Sequence, residues 1–156
     1  MNILFVCTGN ISRSFLAEML LKNDTNKLKL QNIAVASVGT SAYPGRPADP
    51  KMVDYLSETG VPIENHEARS ITKQDVDWAD LILVMERAHL MLIEDQWPKA
   101  KEKVNLLGKY ISEDGIVDDV IDPFGRSPYH YRLAQSQISL AVRSLLEKLP
   151  SEMTGE

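Results

Sequence analysis

The chain contains one cysteine, Cys7, among 156 residues. A lone thiol cannot close an intramolecular disulfide, and no second Cys stands at a spacing that would suit zinc. A protein without disulfides belongs naturally in a reducing compartment, so the expected location is cytoplasmic. No apolar run approaches the length of a membrane span, and the N-terminus lacks the basic region and cleavage pattern of a signal peptide. The sequence therefore predicts no membrane partner. Basic residues are outnumbered, 17 against 22 acidic, for a net charge of −5. That balance argues against general nucleic-acid binding but leaves room for a local basic pocket. No glycine-rich dinucleotide fingerprint and no P-loop lysine follows any apolar run, which weakens a nucleotide-binding reading. No internal repeat, low-complexity tract or linker divides the chain.

What remains is an ordinary globular composition, 44% hydrophobic and 25% charged, of a size that fits one domain. Four short apolar runs, Ile3–Cys7, Ile33–Val38, Leu81–Met85 and the weaker Lys103–Leu107, alternate with helical patterns. The helical patterns cover Phe15–Lys22, Asp49–Thr59, Arg87–Asp95 and Tyr131–Leu149. In the last of these Leu133, Ile138, Ala141, Leu145 and Leu149 run roughly in phase. Such alternation predicts an α/β fold in three layers, a parallel sheet with helices on both faces. We read residues 1–150 as the domain and 151–156 as a C-terminal tail. Ligands of open parallel sheets bind beyond the carboxyl ends of the strands, here the loops Thr8–Ser14, Thr40–Ala48 and 111–130.

The first loop carries chemistry. Cys7 ends an apolar strand, Arg13 follows after five residues, then Ser14, and a helix begins. A strand turning through small residues into a helix gathers backbone N–H groups at the positive end of the helix dipole, which makes an anion cradle. Arg13 can close the cradle with a planar fork that fits two phosphate oxygens. Gly9 allows close approach of the backbone, and Asn10 tolerates left-handed dihedrals. The same field and the Ser14 hydroxyl favour a thiolate, placed for in-line attack on a bound phosphorus. The plainer reading, a buried small residue in a strand–helix connection, suits most lone cysteines. Arg and a hydroxyl residue fall at these offsets for roughly one cysteine in a hundred. The catalytic reading is preferred on that ground.

Cys7-Thr8-Gly9-Asn10-Ile11-Ser12-Arg13-Ser14 resembles the signature loop of the low-molecular-weight protein tyrosine phosphatases. The resemblance continues through residues 37–50 (SVGTSAYPGRPADP), 66–69 (HEAR), 78–86 (WADLILVME) and 120–125 (VIDPFG). It implies a four-stranded parallel sheet with a phosphate-binding loop after the first strand. It implies hydrolysis of phosphomonoesters through phosphocysteine, with no metal or cofactor. Cys7 would be the nucleophile and Arg13 the phosphate clamp, with Thr8, Gly9, Asn10, Ile11, Ser12 and Ser14 around the bound group. Asn10, Ser14, Ser37 and His66 match positions that hold the loop rigid, and Tyr43 matches approximately an aromatic wall of the cleft.

A proton donor for the leaving group is also needed. Of the two Asp-Pro pairs, Asp49-Pro50 reads as a helix cap. Asp122-Pro123 lies in a long loop, and alone would be as readily a turn. The matching family motif makes Asp122 the general acid, with Phe124 beside the substrate ring. Asp118 and Asp119 read as solvated loop charges.

Four departures from the family pattern matter. Ser12 stands where many members carry a second cysteine, so oxidised Cys7 would lack an internal partner. Phe15 replaces the usual Pro after Arg-Ser. Phe124 replaces a common Tyr. Finally, DPFG (122–125) is also similar to the related protein arginine phosphatases, in which Thr occupies the position of Ile11. An apolar Ile11 favours a tyrosyl ring, so the expected substrate is a phosphotyrosine-containing protein or peptide, a tyrosine kinase among the candidates, with inorganic phosphate as product. Phosphoarginine is the alternative. An arsenate reductase relay needs further cysteines, and a non-catalytic phosphate-binding module needs neither thiolate nor acid.

Overall fold

The computed structural model describes residues 1–154. Its centre is a four-stranded, all-parallel sheet in the order β2-β1-β3-β4: β1 Asn2–Cys7, β2 Ala34–Gly39, β3 Leu81–Val84 and β4 Val104–Leu106. Strand β1 shows why both faces must be covered, since its side chains alternate between two cores. Ile3, Phe5 and Cys7 enter one, with Phe15, Leu16, Leu56, Ile138 and Leu145; Leu4 and Val6 enter the other, with Val76, Ile93 and Ala100. Helices α1 (Arg13–Lys27), α2 (Pro50–Glu58) and α5 (Pro128–Thr154) thus cover one face, and α3 (Lys73–Trp78) and α4 (Arg87–Gln96) the other.

Each strand agrees with its apolar run to within a residue or two at either end. The helices depart more. Helix α1 extends five residues beyond Lys22 through a polar stretch and stops where Lys29 turns left-handed at φ 57°. Leu133 is 40% exposed, out of phase with the buried stripe of Ala134, Ile138, Ala141 and Leu145. Helix α3 was not anticipated. It is one short segment held by a capping box, in which Thr72 accepts from the Asp75 N–H and Asp75 accepts from the Thr72 N–H. Helix α5 continues to Thr154, beyond the position read as the start of a tail, and Gly155 and Glu156 lie outside the described residues. Among the described residues no helix is long and apolar enough to cross a membrane.

The order of strands fixes where a ligand can sit. The chain leaves β1 for β2 on one side and later returns to β3 on the other, so the connections diverge between β1 and β3. Cys7 ends β1 and Glu86 follows β3 by two residues, both at this crevice.

Candidate active site

Residues Thr8–Ser12 turn the chain from β1 into α1 without regular structure. The turn is pinned on several sides. Asn10 is left-handed at φ 56°, and its side chain is buried. The His66 Nε2–H donates to the Asn10 carbonyl at 2.6 Å, and the Asn10 Oδ1 accepts from the Arg69 N–H at 3.1 Å. Thr40 and Ser41 N–H groups donate to the carbonyls of Cys7 and Thr8 at 2.8 and 3.0 Å. That approach requires Gly39, where an added Cβ would lie 2.3 Å from the Thr8 carbonyl oxygen. Gly9 differs: a Cβ there would meet nothing nearer than Ile11 at 4.0 Å, so its bare backbone faces the pocket rather than a packed neighbour.

Cys7, Thr8, Gly9, Ile11, Ser12, Arg13, Arg46, Asp122 and Phe124 line one cavity of about 130 Å³. Larger grooves exist elsewhere on the surface, but those lined by Lys22 and Glu64, by Lys73 and Trp97, and by Tyr55 and Tyr131 do not collect a nucleophile, a clamped arginine and a carboxyl group. Arg13 is 1% exposed, and one of its terminal nitrogens is fully engaged: Nη1 donates to Glu86 Oε2 at 2.6 Å and to the Val120 carbonyl at 2.7 Å. Among the described residues Nε has no partner, and Nη2 stands 3.8 Å from Asp122 Oδ2. The guanidinium is therefore held by one edge and offers the other to an anion. Ser12 Oγ, buried in the cavity wall, also has no partner among the described residues.

Asp122 arrives from the far side. Val120 N–H donates to the Met85 carbonyl, which anchors its loop at the end of β3, and Asp122 Oδ1 accepts from the Phe124 N–H at 3.1 Å. Its side chain remains 48% exposed at the mouth of the cavity. The Phe124 ring stands beside the opening with the Arg46 guanidinium 4.9 Å from its centroid. At the cavity floor Cys7 Sγ lies 3.0 Å from Ser14 Oγ.

These contacts join most residues expected from the sequence: Cys7, Arg13, Asp122, Phe124 and the loop itself, with Asn10, Ser14, Ser37 and His66 behind it. Tyr43 is not among them. It is 80% exposed and belongs to the turn Tyr43–Arg46, closed by the Arg46 N–H on the Tyr43 carbonyl with Gly45 left-handed, which brings Arg46 rather than Tyr43 to the cavity. Asp119 is not simply solvated, because its Oδ1 accepts from the Arg87 N–H at the start of α4. Phe15 is more than a replacement for Pro: it is fully buried, with its ring 4.8 Å from that of His66.

Sequence reading missed Glu86 and His89. Glu86 was visible as the acid ending a buried strand run, but its pairing with Arg13 depends on β3 landing beside β1. His89 Nδ1 accepts from the Glu86 N–H at 3.1 Å, so Nε2 carries the proton and donates to Thr8 Oγ1 at 2.8 Å. Burial above all, and then the nearby Arg13, lower its pKa to about 4, which keeps the ring neutral. Among the described residues no group of three His, Cys, Asp or Glu is placed to hold a metal ion.

The model of the low molecular weight phosphotyrosine protein phosphatases matches residues 2–154. The chain belongs to that family. It is 35% identical to a protein-arginine-phosphatase of Bacillus subtilis over 152 residues, 97% of this chain and 99% of that one. It is 32% identical to the low molecular weight protein-tyrosine-phosphatase Wzb of Escherichia coli over 151 residues, 97% of each. Among solved structures, YwlE arginine phosphatase from Geobacillus stearothermophilus superposes with a TM-score of 0.88 at 34% identity, covering 99% of this chain and 96% of that one. A low molecular weight phosphotyrosine phosphatase from Vibrio cholerae superposes at 0.86 with 28% identity, covering 97% and 98%. As a family member the protein is a phosphatase, a hydrolase acting on phosphorylated proteins.

Proposed function

We propose that the protein is a tyrosine phosphatase that hydrolyses phosphotyrosine in peptides through a phosphocysteine on Cys7. The observation that carries this reading is the half-engaged Arg13, whose free edge opens into the same cavity as Cys7 and Asp122. The phosphate of the substrate takes the free edge of Arg13 and the N–H groups of the loop. Cys7 Sγ attacks phosphorus, the P–O bond to the leaving group breaks, and Asp122 gives its proton to the departing oxygen. Water then attacks phosphorus, Asp122 takes its proton, and the P–S bond breaks to return the thiolate. The Ser14 hydroxyl stabilises that leaving sulfur. Ser37 and His66 act on neither substrate nor sulfur; they hold Asn10 and so the loop.

Ile11 and Phe124 supply an apolar wall suited to an aryl ring, and Arg46 beside Phe124 places a cation at the opening. A phosphorylated guanidinium would bring a second positive charge to that cation, whereas a phenol brings none. Phosphoarginine is nevertheless the second reading, because relatives named as arginine phosphatases share about a third of this sequence over nearly its whole length. Candidate substrates therefore include the phosphotyrosine of a kinase and, on the second reading, a phosphoarginine protein. We regard residues 1–150 as a single phosphatase domain.

Phosphate release from one phosphotyrosine and one phosphoarginine peptide, by wild type, Cys7→Ser and Arg46→Glu, separates the readings. Phosphotyrosine is expected to be preferred, with all release lost in Cys7→Ser and the preference reduced in Arg46→Glu. Preference of the wild type for phosphoarginine would keep phosphocysteine chemistry and overturn the specificity argument. Release that survives Cys7→Ser would overturn the mechanism.

A further inference from the structure

Behind the cavity, a hydrogen-bonded path runs from Cys7 through the interior and along one face of α1, through Ser14, Glu18 and Lys22, toward the helix C-terminal half. Asn10 Nδ2 donates to Ser14 Oγ and to Ser37 Oγ, each at 2.9 Å. Ser37 Oγ donates to Glu18 Oε1 at 2.6 Å. Glu18 Oε2 meets Lys22 Nζ at 2.7 Å, and Lys22 meets Glu64 Oε2 at 2.9 Å. Ser14, Asn10, Ser37 and Glu18 are all buried, whereas the Lys22 side chain is 31% exposed in an open groove.

The direction of the links from Asn10 to the two serines and on to Glu18 is determined. Because Asn10 Oδ1 accepts the Arg69 N–H, the amide nitrogen must face the two serines. A carboxylate only accepts, so the Ser37 proton belongs to Glu18 and Ser37 oxygen receives one Asn10 hydrogen. The other Asn10 hydrogen occupies one lone pair of Ser14, and toward a Cys7 thiolate, which can only accept, the Ser14 hydroxyl donates. Asn10 is thus a donor hub between two anions, the Glu18 carboxylate and the Cys7 thiolate.

Two like charges sharing one hub oppose each other, and the arrangement contains the remedy. We propose that Glu18 and Lys22 form a positioning pair: the carboxylate locks the hub with its donors toward the sulfur, and Lys22 cancels the repulsion that this carboxylate would exert on the thiolate. The lysine is well placed for that task. Burial alone would lower its pKa, but the hydrogen bonds and charges of Glu18 and Glu64 outweigh burial and raise it, so the ammonium persists across the working range. The other charged or titratable groups near the path are Arg13 with its partner Glu86, Arg46 and Asp122 around the cavity, and the His66 ring on the Asn10 carbonyl.

The inference rests on Cys7 reacting as a thiolate, so its test reads the thiol without hydrolysis. The rate of Cys7 alkylation by iodoacetamide is followed against pH in wild type, Lys22→Met, Glu18→Gln and the double variant. In Lys22→Met the midpoint is expected to move to higher pH by about 0.6 to 1.2 units, the effect of one uncompensated charge over roughly 10 Å at an effective dielectric of about 20 to 40. In the double variant it is expected to return to the wild-type position, because Gln still accepts from Ser37 and carries no charge. An unchanged midpoint in Lys22→Met, or a double variant shifted as far as Lys22→Met, overturns the proposal. Loss of phosphate release in the wild type would count against the tyrosine phosphatase reading, while the alkylation profile would still decide this one.

Discussion

His89 ties the start of α4 to the phosphate loop only while its ring is neutral, which makes the loop's stability depend on pH. The ring is 3% exposed, accepts from the Glu86 N–H and donates to Thr8 Oγ1. Protonation would turn Nδ1 into a donor facing another donor, beside the buried Arg13 guanidinium. Its pKa accordingly falls from 6.5 to about 4, with burial the largest cause. Because the folded value lies below the unfolded one, the unfolded chain binds the extra proton first as pH drops. The contribution is fully present above pH 6.5 and is lost as pH falls through the window from 6.5 to 4. A fall of that size corresponds to about 3 kcal/mol, most of which is gone by pH 4. His89→Gln offers one acceptor and one donor and does not titrate. Urea unfolding, followed by tryptophan fluorescence at pH 7.5, 5.5 and 4, measures the difference directly. Wild type should lose about 2 to 3 kcal/mol more than the variant between pH 7.5 and 4. Equal losses would refute the reasoning.

Asp122→Ala should lower turnover of phosphotyrosine by roughly two to four orders of magnitude, and less for aryl phosphates with good leaving groups; an unchanged rate on phosphotyrosine removes Asp122 from the mechanism. Tyr131→Phe deletes the hydroxyl that donates to buried Asp49 Oδ2 at 2.6 Å. Asp49 Oδ2 then loses its donor while Oδ1 still caps α2 and the Asp49 N–H still holds the Ile11 carbonyl, and the unpaired oxygen should cost about 1–3 kcal/mol in urea unfolding; a loss below about 0.5 kcal/mol would contradict that account. Gly39→Ala puts a Cβ against the Thr8 carbonyl and must displace the loop, so kcat/KM should fall at least about tenfold; wild-type kinetics would show that the loop tolerates the shift.

How far the sequence reveals this site depends on the range of the interaction. Cys7 to Ser14 is a local constellation, and its meaning follows from a strand–loop–helix that periodicity alone announces. Asp49 is legible for the same reason, since a cap needs only its own helix, although its bond to Tyr131 of α5 is not. Glu86, His89 and Arg46 acquire their roles from contacts that span long stretches of chain, with Arg13, Thr8 and Phe124 respectively. No local pattern encodes those meetings. Tyr43 shows the opposite hazard: an aromatic in the right loop is turned outward by a left-handed Gly45 two residues later. Glu18 is a polar residue at a buried helical position, a conflict with amphipathic patterning that marks it in hindsight as a group with a partner inside.

The central claim is a phosphate bonded to Cys7 sulfur, and rapid acid quench tests it most directly. Wild type and Asp122→Ala are mixed with a nitrophenyl phosphate, quenched within the first turnover, and the peptide bearing Cys7 is examined by mass spectrometry. The account predicts phosphorylated Cys7 approaching one group per chain, formed together with an equal burst of nitrophenol. Nitrophenol released with no label on Cys7, or with the label on another residue, would contradict it.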